Sequence, residues 1–249
     1  MMTAHAGDWF VATSPQPTAS MRLLAFTAAG GGVSSFARQA SQLPDWLEMR
    51  TLNLPGRQAR FDEPMVTDVD RLVAELSAAC AELAGPYLMF GYCSGALIAY
   101  LVARELAGRG ETLPQRLIVG SYPPPHLVST PELAGLESDT LWRVLVEQKA
   151  VPLELAEEPE LREMAEPILR GDLGLISSYR HERATPLPVP ITVLTGERDG
   201  SLADGAVDGW DGYSTAPLRT VSLAASHWFM EEDPAAGVAA LVHEAELSR

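Results

Sequence analysis

Residues 87–106 run Tyr87-Leu88-Met89-Phe90-Gly91-Tyr92-Cys93-Ser94-Gly95-Ala96-Leu97-Ile98-Ala99-Tyr100-Leu101-Val102-Ala103-Arg104-Glu105-Leu106. The apolar run Tyr87 to Phe90 reads as a buried strand, and Ala96 to Leu106 reads as a helix. The five residues between them must turn the chain sharply. Small residues at 91 and 95 suit a strained turn in which strand and helix pass too close for side chains. The apex residue then projects above the sheet. Here it is Cys93, a thiol at a helix N-terminus, where the helix dipole favours the thiolate. Strand, tight turn and helix together are the context of a nucleophile elbow, with Cys93 as the nucleophile. Ser94, one position on, cannot take that place. Cys80 falls on the apolar face of another helical pattern and is expected to pack in the core.

Outward from the elbow, apolar runs bounded by turn residues recur at Leu23 to Phe26, Leu47 to Leu52, Arg116 to Val119, Ile191 to Leu194 and Leu218 to Leu223. Val69, Leu72, Val73, Leu76, Cys80 and Leu83 form one apolar stripe at helical spacing. Strands alternating with helices imply a mostly parallel sheet with right-handed crossovers. Between about 122 and 190 the rhythm breaks. That stretch holds no convincing strand but has helical patterns around Leu141 to Val146 and Leu161 to Tyr179, so a helical lid inserted into the sheet is expected. The expected fold is the α/β-hydrolase fold over residues 21–249, with the lid at about 122–190. Residues 1–20, rich in Ser, Thr, Pro and Gly, are expected to be flexible, with at most an edge strand at Trp9-Phe10-Val11.

In this fold the partners of the nucleophile follow it in the order acid, then histidine, on loops at the C-terminal ends of strands. Of the five histidines, His227 alone follows a late strand, and it is the expected general base. Asp199, after the Ile191 to Leu194 strand and Gly196, is the expected orienting acid, with Glu197, Asp204 and Asp208 as rivals. The oxyanion of an attacked carbonyl needs two backbone N–H donors. Ser94 supplies one by position. The small-residue loop Phe26-Thr27-Ala28-Ala29-Gly30-Gly31-Gly32 supplies the other, assigned to Ala29. No Walker lysine and no dinucleotide glycine pattern accompanies that loop, so no cofactor is expected, and no metal.

Composition narrows the partners. With 33 acidic against 18 basic residues the net charge is −15, and the basic residues do not cluster, which argues against nucleic acid. The single lysine, Lys149, carries no functional weight. Two cysteines and the absence of a secretion-type leader in these residues point to a cytoplasmic protein with reduced thiols, and no apolar run is long enough for a membrane span. A monomer is expected.

Several of these residues resemble the type II (editing) thioesterases that serve nonribosomal peptide and polyketide synthases. The similarity runs through Trp9-Phe10, the Phe26 to Gly31 loop, Leu54-Pro55-Gly56-Arg57 with Arg60, the elbow, Asp172, Tyr179, Gly196 to Asp199 and His227-Trp228-Phe229. The Leu-Pro-Gly-Arg box and the elbow are its most specific parts. The resemblance implies acyl groups delivered on the phosphopantetheine arm of an acyl- or peptidyl-carrier protein, and release of stalled or mis-primed acyl groups. Arg57, Arg60, Tyr92 and Trp228 are the residues expected to meet substrate or carrier. Lid arginines such as Arg143 would offset the acidic surface toward an acidic carrier.

The chain departs from that family at Thr27 and Ala28, where Pro and an aromatic or His are usual, and at Tyr92-Cys93-Ser94, where His-Ser-Met is usual. A cysteine acyl-enzyme is itself a thioester, so the acyl group stays activated and carrier-to-carrier transfer competes with hydrolysis as a reading. Gly-Tyr-Cys also resembles the elbow of dienelactone hydrolases, although the lid and the Leu-Pro-Gly-Arg box fit them poorly. A binding module with a decayed site is a further alternative, opposed by the ordered set Cys93, Asp199 and His227.

Overall fold

Alternating strands and helices close into one sheet with helices on both faces. The computed structural model describes residues 9–128, 133–182, 185–203 and 205–249. Among these the strands are β1 (Phe10–Val11), β2 (Met21–Phe26), β3 (Leu47–Leu52), β4 (Tyr87–Tyr92), β5 (Leu117–Gly120), β6 (Ile191–Gly196) and β7 (Arg219–Leu223). Their order is β1-β3-β2-β4-β5-β6-β7, with β1 antiparallel to β3 and every other pairing parallel. This is an α/β-hydrolase fold.

The central strands are buried along their whole length, as their continuous apolar runs require. Helix α1 (Val69–Ala81) begins at Asp68, whose side chain accepts the Arg71 N–H at 2.8 Å. Its stripe of Val69, Leu72, Val73, Leu76 and Cys80 is buried against the sheet. Each such side chain contributes roughly 1.5–3 kcal/mol of apolar burial. Helix α2 (Ser94–Arg109), apolar nearly all round, lies on the same face.

Strand order makes the site. From β2 the chain steps outward to β3, then returns past β2 to β4, so the direction of winding reverses between β2 and β4. Ligands of parallel sheets bind beyond the carboxyl ends of strands at such a switch point. The register pairs Phe26 with Gly91, which sets the loop after β2 beside the elbow after β4.

Between β5 and β6 lie helices α3 (Ser138–Glu147), α4 (Leu153–Glu157) and α5 (Pro159–Ser177), with a small apolar cluster of their own around Leu141, Trp142, Leu145, Val151 and Leu169. Helix α6 (Pro234–Glu246), capped by Asp233 on Ala236 N–H, covers the opposite sheet face.

Within the N-terminal stretch the edge strand expected at Trp9-Phe10-Val11 forms as β1, at Phe10–Val11. Trp9 and Phe10 are buried, β1 pairs with β3, and the Arg60 guanidinium lies 4.7 Å over the Trp9 ring. Two large aromatic side chains in the core outweigh the ordering cost of a short edge strand. Residues 1–8 lie outside the described residues.

Candidate active site

Strand β4 ends at Tyr92 and helix α2 starts at Ser94, so Cys93 alone makes the turn, at φ 52° and ψ −130°. For a residue with a side chain such a conformation costs on the order of 1–3 kcal/mol, and its surroundings must hold it. Cys93 N–H donates to Gly120 O at 2.8 Å, and Cys93 O accepts from Ala96 N–H at 2.9 Å. A Cβ on Gly95 would collide with the carbonyl oxygens of Phe26 and Thr27, and one on Gly91 with the Ala96 backbone. Glycine is required at both positions by close approach. The Cys93 side chain is left partly exposed, whereas Cys80 is buried.

Strands β6 and β7 are neighbours in register Gly196 to Leu223, so the loops leaving their carboxyl ends meet. The first loop carries Asp199, whose N–H donates to Gly196 O at 3.1 Å, and the second carries His227. Asp199 Oδ2 lies 3.2 Å from His227 Nδ1, with both side chains buried. Burial raises the carboxyl pKa, but hydrogen bonds from His227 and Ser201 outweigh it and bring Asp199 down to about 2. Burial likewise disfavours charge on His227. The Asp199 hydrogen bond and then the neighbouring Cys93 outweigh it, pushing the imidazole up to about 10. His227 Nε2 is buried without a formed hydrogen bond, the loose geometry common before substrate arrives.

Ser201, unforeseen in the sequence, completes this group. Its hydroxyl is 2.6 Å from Asp199 Oδ1 and 2.9 Å from His227 Nδ1, and its N–H donates to the same Asp199 oxygen at 2.9 Å. A serine two places after an aspartate, able to close an Asx turn, was the signal available. Of the rival acids, Glu197 and Asp208 point to solvent, and Asp204 lies outside the described residues.

Ser94 N–H stands in the first turn of α2, where no carbonyl four residues earlier in the helix can accept it. Ser94 and Ala29 line one narrow pocket with Thr27, Ala28, Leu52, Leu54, Ile98, Asp172, Leu175 and Ile176. The two expected oxyanion donors thus border one space, roofed by α5. Among the described residues, no group of three or more His, Cys, Asp and Glu side chains could hold a metal ion.

The sequence model of the thioesterase domain matches residues 21–245. The chain belongs to the thioesterase family. As a thioesterase it is a hydrolase acting on thioester bonds. It is 36% identical over 220 residues to the AMB antimetabolite synthetase AmbE of Pseudomonas aeruginosa, a match spanning 86% of this chain and 10% of AmbE. The gramicidin S biosynthesis protein GrsT of Aneurinibacillus migulanus is 25% identical, over 92% of this chain and 90% of its own length. Among solved structures, the type II thioesterase BorB from the borrelidin biosynthetic cluster superposes with TM-score 0.86 at 27% identity, covering 99% of this chain and 100% of BorB. RedJ, a thioesterase of the prodiginine pathway in Streptomyces coelicolor, gives 0.83 at 28% identity, over 91% of each chain.

The residues expected to meet substrate or carrier fare differently in this thioesterase. Arg57 is 3% exposed and its guanidinium is bound to Asp172 of α5. Tyr92 is 1% exposed and points beneath the site: its hydroxyl donates to His227 O at 2.7 Å and lies 3.1 Å from Glu231 Oε2. A side chain at the end of a strand faces one side of the sheet or the other, and Tyr92 packs with Phe90 and Phe229 on the side opposite α2. Arg60 is engaged with Glu63, Asn53 O and the Trp9 ring, which leaves it little reach toward a carrier. Trp228 is half-buried, edge-on to His227 with centroids 5.0 Å apart. Arg143, on α3, is exposed beside Glu147. No helix among the described residues is long and apolar enough to cross a membrane.

Proposed function

We propose that this thioesterase is of the type II (editing) kind and releases acyl or aminoacyl groups from the phosphopantetheine arm of carrier proteins through a Cys93 acyl-enzyme. The observation that carries the reading is the strained, partly exposed Cys93 at the elbow, close enough to the buried His227 imidazole to raise its pKa, with Nδ1 of that imidazole held by Asp199. The relatives in peptide and polyketide pathways supply the substrate class.

The proton of Cys93 passes to His227 Nε2, and the sulfur attacks the thioester carbonyl. Ala29 and Ser94 N–H groups hold the resulting oxyanion. Its collapse breaks the bond to the pantetheine sulfur, which takes the proton from His227 as it leaves. Water, losing a proton to His227, then attacks the acyl-cysteine, and the second collapse frees a carboxylic acid and restores Cys93. A carrier thiol can replace water in the second half, because an acyl-cysteine retains thioester reactivity. The helices between β5 and β6 form the lid over this intermediate and limit the water that reaches it.

Incubation with acyl-loaded carrier protein, with and without an empty acceptor carrier, tests the reading. Intact-mass spectrometry is expected to show an acyl adduct on Cys93 and release of free acid. The Cys93→Ala variant should fold and do neither. Turnover at wild-type rate by that variant would end the proposal.

A further inference from the structure

The buried pair of Arg57 and Asp172 joins the helical insertion to the loop that carries Ala29. Residues 28–31 form a turn closed by Gly31 N–H donating to Ala28 O at 3.0 Å, with Gly30 at φ 79° in the third place, as a type II turn requires. The central peptide of the turn, between Ala29 and Gly30, follows directly on the Ala29 N–H, so holding it fixes the turn on that side of Ala29. The N–H of this peptide, that of Gly30, donates to Asp172 Oδ2 at 2.8 Å, across 142 positions of sequence. Arg57 grips both partners: Nη1 donates to Gly31 O at 2.9 Å and to Asp172 Oδ2 at 2.7 Å, and Nη2 to Asp172 Oδ1 at 2.6 Å.

A second contact comes from the same helix. Leu169, three residues before Asp172 on α5, sits so close that a Cβ on Gly30 would fall 2.9 Å from its Cδ2. Ala29 itself packs against the apolar cluster of the insertion. The turn is therefore fixed by a carboxylate, a leucine and a guanidinium, two of which belong to α5. Were α5 to lift, the Gly30 N–H and the Arg57 charge would lose their partner together. The loss of one member of a buried pair is costly, so the seated state is favoured as a unit.

We propose that Asp172 is a positioning residue for the oxyanion hole: while α5 is seated on the sheet it holds the Ala29–Gly30 peptide, and so keeps the turn that presents the Ala29 N–H in shape. Lid closure and transition-state stabilisation are thereby coupled. With the lid open, the turn that presents the Ala29 N–H loses the two holds that α5 supplies, the Asp172 carboxylate and the Leu169 side chain. The inference rests on the assignment of Cys93 and Ala29 made above.

Two rates measured on the same full-length protein test it. One is single-turnover release of pantetheine from acetyl-pantetheine, which passes through an oxyanion. The other is alkylation of Cys93 by iodoacetamide, which needs the activated sulfur but forms no oxyanion. In Asp172→Ala, acylation is expected to fall on the order of 10–100-fold, approaching the loss of an oxyanion donor, while alkylation stays within about twofold of wild type. Asp172→Asn keeps an oxygen for Gly30 N–H but not the charge for Arg57, and should lose about 3–10-fold in acylation alone. If the alanine variant does not fold, the asparagine variant decides on the same two rates. Unchanged acylation, or a parallel fall in both rates, overturns the inference. Failure of wild type to release pantetheine would instead remove the Cys93 reading, and this inference with it.

Discussion

The Ser201 hydroxyl lies 2.9 Å from His227 Nδ1, nearer than the Asp199 carboxylate oxygen at 3.2 Å. It also donates to the other Asp199 oxygen at 2.6 Å, so the Nδ1 proton faces a hydroxyl already polarised by the carboxylate. Two acceptors hold the ring plane better than one. Ser201→Ala is expected to lower kcat by about 3–10-fold, the equivalent of one hydrogen bond to an ionised group on an exposed loop, with little change in KM. Ser201→Thr should restore it. Steady-state kinetics on the two variants checks this, and an unaltered kcat in the alanine variant would limit the hydroxyl to shaping the Asp199 turn.

The two cysteines offer an internal control. Cys80 is buried on the apolar face of α1, and burial pushes its thiol up to about 12. Cys93 is partly exposed beside an imidazole that favours protonation. Iodoacetamide should therefore label Cys93 at least about 100-fold faster than Cys80 near neutral pH, and His227→Ala should slow Cys93 labelling. Peptide mass spectrometry over a time course reads both. Equal rates at the two sulfurs would remove the activated-thiolate argument.

Local pattern carried the topology because each strand is a short apolar run with its own boundaries. All six expected runs are strands, and β4 continues through Gly91 and Tyr92 to the turn itself. Chain order within the fold was enough to place Asp199 and His227 on adjoining loops. The pairing of Arg57 was not legible, because its partner lies 115 positions away on the insertion, and no periodicity relates an arginine after β3 to an aspartate within α5. The direction of the Tyr92 side chain follows from the strand. Tyr92 is the last residue of β4 and shares its face with Phe90 and Leu88, two and four positions back, whereas Cys93 lies beyond the strand in the turn.

That inward tyrosine has its own consequence. Its hydroxyl donates to the His227 carbonyl, and its ring stacks at 21° to the imidazole with centroids 6.1 Å apart. Burial raises the Glu231 carboxyl pKa, and Tyr92 opposes that rise as a hydrogen-bond donor. Tyr92→Phe keeps the ring and removes the donor, leaving the carbonyl and carboxyl less satisfied. A loss of about 1–3 kcal/mol in stability is expected, with a smaller loss in kcat. Urea denaturation of the variant measures it, and a midpoint equal to wild type would show that water replaces the hydroxyl.

The raised His227 pKa also sets a pH dependence with a definite sign. A histidine whose folded pKa is about 10 against an unfolded 6.5 binds its proton more tightly when folded. It adds its full stability below pH about 6.5 and loses it as pH climbs through about 10. Asp199, drawn down to about 2 from 3.8, contributes above 3.8 and loses that contribution as pH falls through about 2. Cys93 is one of the two groups holding the His227 proton, so Cys93→Ala should lower the imidazole pKa and narrow the alkaline window. The His227 ring resonances in proton NMR, titrated in wild type and Cys93→Ala, test the coupling directly. Identical midpoints in the two proteins would show that Asp199 alone holds the proton and that thiol and imidazole titrate independently.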